Sequence, residues 1–508
     1  RRAEIIDPEN SELWYQLSYV AGRLNKNEES IQYLQQILAK NPDNRDAIGD
    51  LGWMYFKTHR LSEGERLLTE SLDRFGPDQG LEMTLATIYS DQYRYEDAKT
   101  YYLKAIKHAE KSGFKLFLAV AYYNLSILES RFYHFANALA STNLSLQHTE
   151  RSSGHLARGE LFQRRLDFTK AYGEYLAAYE MDTSPLSKIN MAQLYQQTGN
   201  LKEAKTYAEN TIQQTDLSWM VNYGTDIDRY KKDLHQILRE TYRGLANQER
   251  LSYKATPWQQ ILSLFQWIRY KAAEIWQEQL FTYYTMQAAK AYGVENQKLD
   301  ALLHYYLGLQ TYPWRAQAYL QEAMDYETKL IEAALPTYLY ESGKLQKQST
   351  PIIQAINLFD PVWERDMIAD AYAELAGIYQ NQGKIDEAQS SIEALYALNH
   401  GALLQRGLRL PIKLDLQGTY ASPSEAARYR KTLSAILNRS GLRILTNKTT
   451  RFTLILNKTD TTITCTLHDS VKGSTLREKT MLLPDLSAES RLRFSHELQQ
   501  ALFSELGQ

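Results

Sequence analysis

Apolar, small and aromatic residues recur along this chain in a phase that returns about every 34 residues. Trp14, Leu17 and Ala21 are followed by Ser30, Leu34, Ile37 and Pro42. The next copy reads Ile48, Leu51, Gly52, Tyr55, Gly64, Leu68 and Ser71, closing on the Gly76-Pro77 turn. A third gives Leu85, Ala86, Tyr89, Ala98, Tyr102 and Ala105. The phase returns at Leu125, Ser126, Ala138 and Thr142, and again at Gly159, Phe162, Ala171, Tyr175 and Ala178. It returns at Met191, Ala192, Tyr195, Ala204 and Ala208, then at Leu375, Ala376, Tyr379, Ala388, Ile392 and Leu395. Spacings of three and four within each copy predict amphipathic helices, and two fit in each period. Small residues such as Gly52, Gly159 and Ala376 let paired helices approach, and the aromatic a turn later fills the space beside them. One pair cannot bury its own apolar face, so the pairs must stack.

This pattern resembles the tetratricopeptide repeat, Trp-x2-Leu-Gly-x2-Tyr, then Ala-x3-Phe, then Pro over 34 residues. The resemblance implies a mainly α protein, a right-handed superhelical solenoid. The opening residues RRAEIIDPEN put Ala3 and Pro8 at repeat positions 27 and 32, so a further helix is expected upstream, with an export signal or lipid anchor open. We divide the chain into repeats over 1–216, atypical helical hairpins continuing the solenoid over 217–368, a last repeat over 369–409 and a different domain over 410–508. In the second segment, Trp258 to Trp276 is read as helix packed between repeats. Lying on a membrane is the alternative, with Arg269 and Lys271 set against Glu274. Lys344 to Pro361 reads as a loop and helix restart.

After Gly407 the period changes from helical to alternating. LPIKLDLQG predicts a strand, and SPSEAARYRKTLSAILNRSG a helix begun at Ser422-Pro423 and stopped at Gly441. Three or four β-branched runs follow, and a helix over about Ala488 to Leu506 closes the chain. The order β-α-β-β-β(-β)-α predicts a small sheet with two helices on one face. Asp469, Gly473, Arg493, His496, Leu498, Leu502, Phe503 and Leu506 fall where the N-terminal α/β domain of the translocation protein TolB has like residues, with Gln500 in place of an Asp. That resemblance implies a bacterial cell-envelope or periplasmic setting, with the cytoplasm as the alternative.

Composition removes several functions. The chain has 508 residues, 58 basic and 60 acidic, so net charge −2 argues against nucleic acid as a partner. Residues from Leu410 onward carry net +5 against −7 before them, a modest polarity. One cysteine excludes an intramolecular disulfide framework or CxxC site. Cys465 sits in a predicted strand as a small buried residue. The most apolar run, Phe114 to Leu128, is shorter than the ~20 residues a spanning helix needs. No phosphate loop, dinucleotide fingerprint, zinc-protease or nucleophile-elbow motif occurs. Asp300 with His304, and His148 with His155, are too few for a zinc site. No cofactor, metal or catalytic residue is expected, and the chain reads as non-enzymatic.

In the resembled family the first helix of each repeat lines the concave groove. Carried onto this sequence, that places Tyr15, Tyr19 and Arg23 in the first repeat and Trp53, Phe56 and Lys57 in the second. Met83, Thr87 and Asp91 follow, then Tyr123, Ile127 and Arg131, then Glu160, Gln163 and Arg164, then Ile189, Gln193 and Gln197. The two-carboxylate clamp of the family's chaperone-binding subgroup is missing, since its positions hold Tyr15, Tyr19, Trp53 and Ser90. The expected function is a scaffold that binds a protein or peptide in the aromatic N-terminal groove. The alternative is a regulatory subunit acting on an envelope or secretion enzyme through the C-terminal domain.

Overall fold

A computed structural model describes residues 10–24, 26–181, 185–213, 227–252, 254, 256–294, 297–418, 422–445, 450–459, 461–482 and 487–504. Residues 1–9, read above as the end of a truncated repeat, and Leu506 lie outside them.

Twelve helices form six antiparallel pairs: α1 (Ser11–Arg23) with α2 (Asn27–Lys40), α3 (Arg45–Lys57) with α4 (Leu61–Phe75), α5 (Gln79–Asp91) with α6 (Tyr95–Ser112), α7 (Lys115–Arg131) with α8 (Phe135–His148), α9 (Ser152–Arg164) with α10 (Phe168–Met181), and α11 (Pro185–Gln197) with α12 (Leu201–Gln213). Asparagine or aspartate opens several of the first helices. Asn44 accepts from the Ala47 amide at 3.1 Å, and Asp78 from Gly80 and Leu81. Such caps satisfy amides that the first helical turn leaves without partners. Within a pair the glycine contacts are close: a methyl on Gly52 would lie 2.8 Å from Leu68, and one on Gly159 2.4 Å from the Tyr175 ring.

The turn inside most pairs is a left-handed C-cap at a constant phase. His59, Tyr93, Tyr133, Leu166, Gly199 and Gly383 all have positive φ. The following amide reaches back to the carbonyl five residues earlier, as in Arg60 to Tyr55 (2.9 Å), Arg94 to Tyr89 (2.9 Å) and His134 to Glu129 (2.8 Å). Glycine adopts this conformation freely, whereas a side chain there costs ~1–2 kcal/mol. Tyr93 and Tyr133 accept that cost because their rings are partly buried in a second layer of structure.

That layer is built by helices α13 (Ile227–Leu251), α14 (Pro257–Val294), α15 (Lys298–Gly308), α16 (Pro313–Glu327), α17 (Leu335–Gln346) and α18 (Ser349–Leu358). The superhelix returns on itself. Leu299, Leu302, Tyr306, Leu320, Ile331 and Tyr338 share one apolar core with Leu81, Leu85, Tyr102, Leu125 and Phe132 of the early repeats, and Tyr93 and Tyr133 pack against it. Trp363 lies 6.3 Å from the Phe135 ring, and the Arg165 guanidinium sits 4.9 Å over its indole. Two sequence expectations change here. Lys344 to Pro361 is mostly helical, because α17 and α18 are joined by Lys347 and Gln348 alone, with Lys347 left-handed. The Trp258 to Trp276 stretch packs on one side only, and its other side faces solvent.

The last repeat, α19 (Arg365–Asn381) and α20 (Ile385–Leu398), leads through a short helix α21 (Ala402–Gln405) into a five-stranded sheet. The order is β2-β1-β3-β4-β5, with β1 (Leu410–Gly418) parallel to both β2 (Leu442–Ile444) and β3 (Phe452–Lys458). β4 (Thr462–Asp469) and β5 (Ser474–Leu482) continue it antiparallel. Helices α22 (Pro423–Leu437) and α23 (Ala488–Phe503) supply Leu433, Ile436, Leu498 and Leu502 to the core beneath the sheet, and Cys465 is buried there. That core also contains Ala376, Ile392, Leu395 and Tyr396, so sheet and last repeat are one packed unit. Asp469 is spoken for structurally: it pairs with Arg451 at 2.7 Å and accepts from the Val471 and Lys472 amides in the turn to β5.

Candidate partner-binding surface

The residues singled out from the repeat pattern differ from repeat to repeat in exposure and in the partners they meet. The Tyr15 hydroxyl donates to Asp50 at 2.7 Å, which ties α1 to α3; burial, then this carboxylate, raises the Tyr15 pKa. Tyr19 is 61% exposed with Arg23 lying 6.0 Å over its ring. Trp53 is 42% exposed and stands 5.0 Å from Phe56, itself half-buried. Lys57 beside them is partly desolvated, which lowers its pKa. The first two repeats therefore present an aromatic set edged by positive charge on rigid helices.

Farther along, the predicted groove residues satisfy each other. Asp91 lies 3.6 Å from Arg131 and 3.4 Å from His59, and Arg131 donates to the Ser90 carbonyl at 3.0 Å while covering the Tyr93 ring. Gln297 of the returning layer contacts His59. Met83 is half-buried in the shared core, and Tyr123 is raised in pKa by burial and by Glu160. Gln163 is buried, donating to Gln197 at 2.8 Å and accepting from Tyr175. These contacts close the middle of the groove with the chain's own residues.

The return of the chain also brings a set of partly buried charges together. Asp366, Asp370 and Glu374 stand four residues apart on one face of α19, so they form an acidic line along it. Arg406 pairs with Asp370 at 2.6 Å and approaches Glu374 at 3.6 Å. Burial works against charge on Glu240, but Arg243, Arg239 and Arg406 outweigh it and hold the carboxyl at about 2. Burial pushes Asp366 up to about 7, with Arg164 opposing. Glu160 is also raised by burial, although Arg164 and an Asn190 hydrogen bond at 3.4 Å oppose it. Sequence reading missed the α19 line. Asp370 occupies a groove position of the last repeat, so the same register carried to that repeat finds it.

Between the sheet and the solenoid lies a cleft of about 1470 Å³, lined by Tyr172, Tyr195 and Leu201 on one side and by Arg477, Met481, His496 and Gln500 on the other. Among the described residues no group of three or more His, Cys, Asp or Glu is arranged to hold a metal ion, and no helix is long and apolar enough to cross a membrane.

Stacked helical pairs with a concave inner face define an α-solenoid, a class built for contact. Tetratricopeptide-repeat models match residues 15–79, 83–111, 187–212 and 369–399. These segments are tetratricopeptide repeats, and proteins built of such repeats are in general scaffolds that bind protein or peptide partners. Similar solved structures include that reported as the functional characterization of Pseudomonas aeruginosa pilF, at 15% identity over 41% of this chain and 95% of that one, TM-score 0.34. A tetratricopeptide repeat protein from Parabacteroides merdae matches at 15% over 46% and 91%, TM-score 0.33. A monomeric mutant of IFIT1 with Gppp-AAAA matches at 13% over 77% and 90%, TM-score 0.40. No curated protein matches the chain.

Proposed function

We propose that this chain is a non-catalytic scaffold that holds a segment of a protein partner on the concave face of its first repeats, within a bacterial cell-envelope assembly. The observation that carries this is the exposure of Tyr19 and Trp53 on helices whose orientation is fixed by the Tyr15–Asp50 hydrogen bond. Large aromatics held on rigid helices lose little freedom on binding, which suits them to anchor a partner. Arg23 and Lys57 favour a segment with acidic residues beside its apolar anchor. The envelope setting rests on the TolB-like features of the C-terminal domain.

The test is partner capture from native cells with the unaltered chain and with Tyr19→Ala/Trp53→Ala, which spares the Tyr15 link. Loss of a partner with retained helical circular dichroism supports the reading, and that partner's compartment tests the envelope assignment. Identical partner lists overturn it.

The cleft beside β5 favours a second reading, in which the sheet domain regulates an enzyme. Deleting the domain would strip the core it shares with α19 and α20. The proper probe is therefore His496→Ala/Gln500→Ala, with partners lost from this variant alone pointing to the cleft.

A further inference from the structure

Helix α14 has two faces of opposite character. Tyr270, Ala273 and Phe281 pack inward, and Glu274 pairs with Arg243 of α13 at 2.8 Å. The outward face carries Trp258, Ile261, Phe265, Ile268, Ala272 and Ile275, alternately three and four residues apart. Trp258 is 65%, Phe265 66% and Ile275 59% exposed. Leu262 and Trp276 flank the line and are more than half exposed. This alternation of three and four is the spacing of a seam that can meet another helix wound against it.

The seam is complementary to itself in one orientation. In an antiparallel pair, an a position faces a d position of the other helix. Phe265 then lies opposite Ile268 of the second copy, Ile261 opposite Ala272, and Trp258 opposite Ile275. Each layer combines a larger side chain with a smaller one. A parallel pair instead stacks Trp258 on Trp258 and Phe265 on Phe265 while leaving Ala272 facing Ala272, so two of its layers are crowded and one is hollow. The exposed side chains of the seam and its flanks amount to roughly 800–1,000 Å², so a pairing that covers them reaches the ~800 Å² per partner of a stable interface. Basic charge is sparse: Lys271 is paired with Glu274, which leaves Arg269, too little to hold the helix on an anionic lipid surface.

We infer that this chain forms a homodimer through an antiparallel pairing of α14. Light scattering across a concentration series gives a mass approaching twice 58.8 kDa for the unaltered chain. Phe265→Glu/Ile268→Glu remains a single chain with unchanged circular dichroism, since both positions face solvent in the monomer, and the milder Phe265→Ser weakens the dimer less. Spin labels on Gln279→Cys, beyond the paired span, lie about 38 Å apart along the helix axis from the 1.5 Å rise, against under ~20 Å in a parallel pair. A chain that stays monomeric, a dimer indifferent to the double substitution, or the short label distance overturns the inference. So does a monomer that floats with lipid vesicles and loses flotation in Phe265→Glu/Ile268→Glu, which would assign the face to membrane.

Discussion

The Tyr396 hydroxyl donates a hydrogen bond to the Leu502 carbonyl at 2.7 Å, joining the last helix of the solenoid to the last helix of the sheet domain. Leu502 lies in the final turn of α23, where carbonyls have no helical partner, so Tyr396 caps that helix from 106 residues away. Its ring also meets Phe452 and Phe503 edge-on at 5.2 and 5.8 Å.

Tyr396→Phe keeps the ring packing and strands the Leu502 carbonyl. We expect a loss of about 1–2 kcal/mol in urea denaturation, with the sheet and last repeat still unfolding together. Two separated transitions in this variant would refute the single shared core.

Gly159→Ala inserts a methyl 2.4 Å from the Tyr175 ring, and Tyr175 is fully buried with its hydroxyl held by Gln163. The ring has no room to retreat, so stability falls by about 1–3 kcal/mol. Gly173, with open space beside it, tolerates the same change. Equal midpoints for the two variants would contradict this packing.

Trp363→Ala removes the side chain held between Phe135 and Arg165. Faster amide exchange should appear at Tyr133, Phe135 and Leu166, with the first two repeats unaffected. Exchange unchanged at the turn after α7 would show that Trp363 does not hold the closure.

Asp366 ionises at about 7 in the folded chain because burial opposes its charge, against ~3.9 when unfolded. Between these values the native state holds the extra proton, so stability falls as pH rises from about 4 to 7. Asp366→Asn removes that slope. At pH 7.5 the variant is expected to be about 1–3 kcal/mol more stable, allowing for solvent reaching the side chain, and the two converge near pH 4. Parallel pH profiles would show that Asp366 is not the group responsible.

The repeat pairs were legible because their signal is periodic: Gly52, Ala86, Gly159 and Ala192 each mark a close helix approach, and four copies fix a phase that one cannot. The sheet was legible by alternation, as in Ile463, Cys465 and Leu467. The return of the later helices was not, because it depends on contacts distant in sequence. Its trace is local and small: Tyr93 and Tyr133 stand at a left-handed turn where Gly199 and Gly383 stand elsewhere. A strained tyrosine at a glycine position signals that something covers it. The exposed face of α14 was hidden for a different reason. Tryptophan and isoleucine at helical spacing read alike whether the partner is the chain's own core or lies outside it. The charged line was missed because Asp366, Asp370 and Glu374 read as a solvated helix face, and only the structure sets Arg406 beside Asp370 and Glu374.

Closure also sets an order of events during synthesis. Tyr133 packs with Tyr338 in one core, and about 200 residues must be made between them, which takes roughly 10–40 s at ordinary ribosomal speed. For that interval the early repeats carry a bare apolar flank that the finished molecule never shows. The nascent chain thus exposes that flank until residue 338 has been made, and a ribosomal pause before residue 340 would lengthen the exposure.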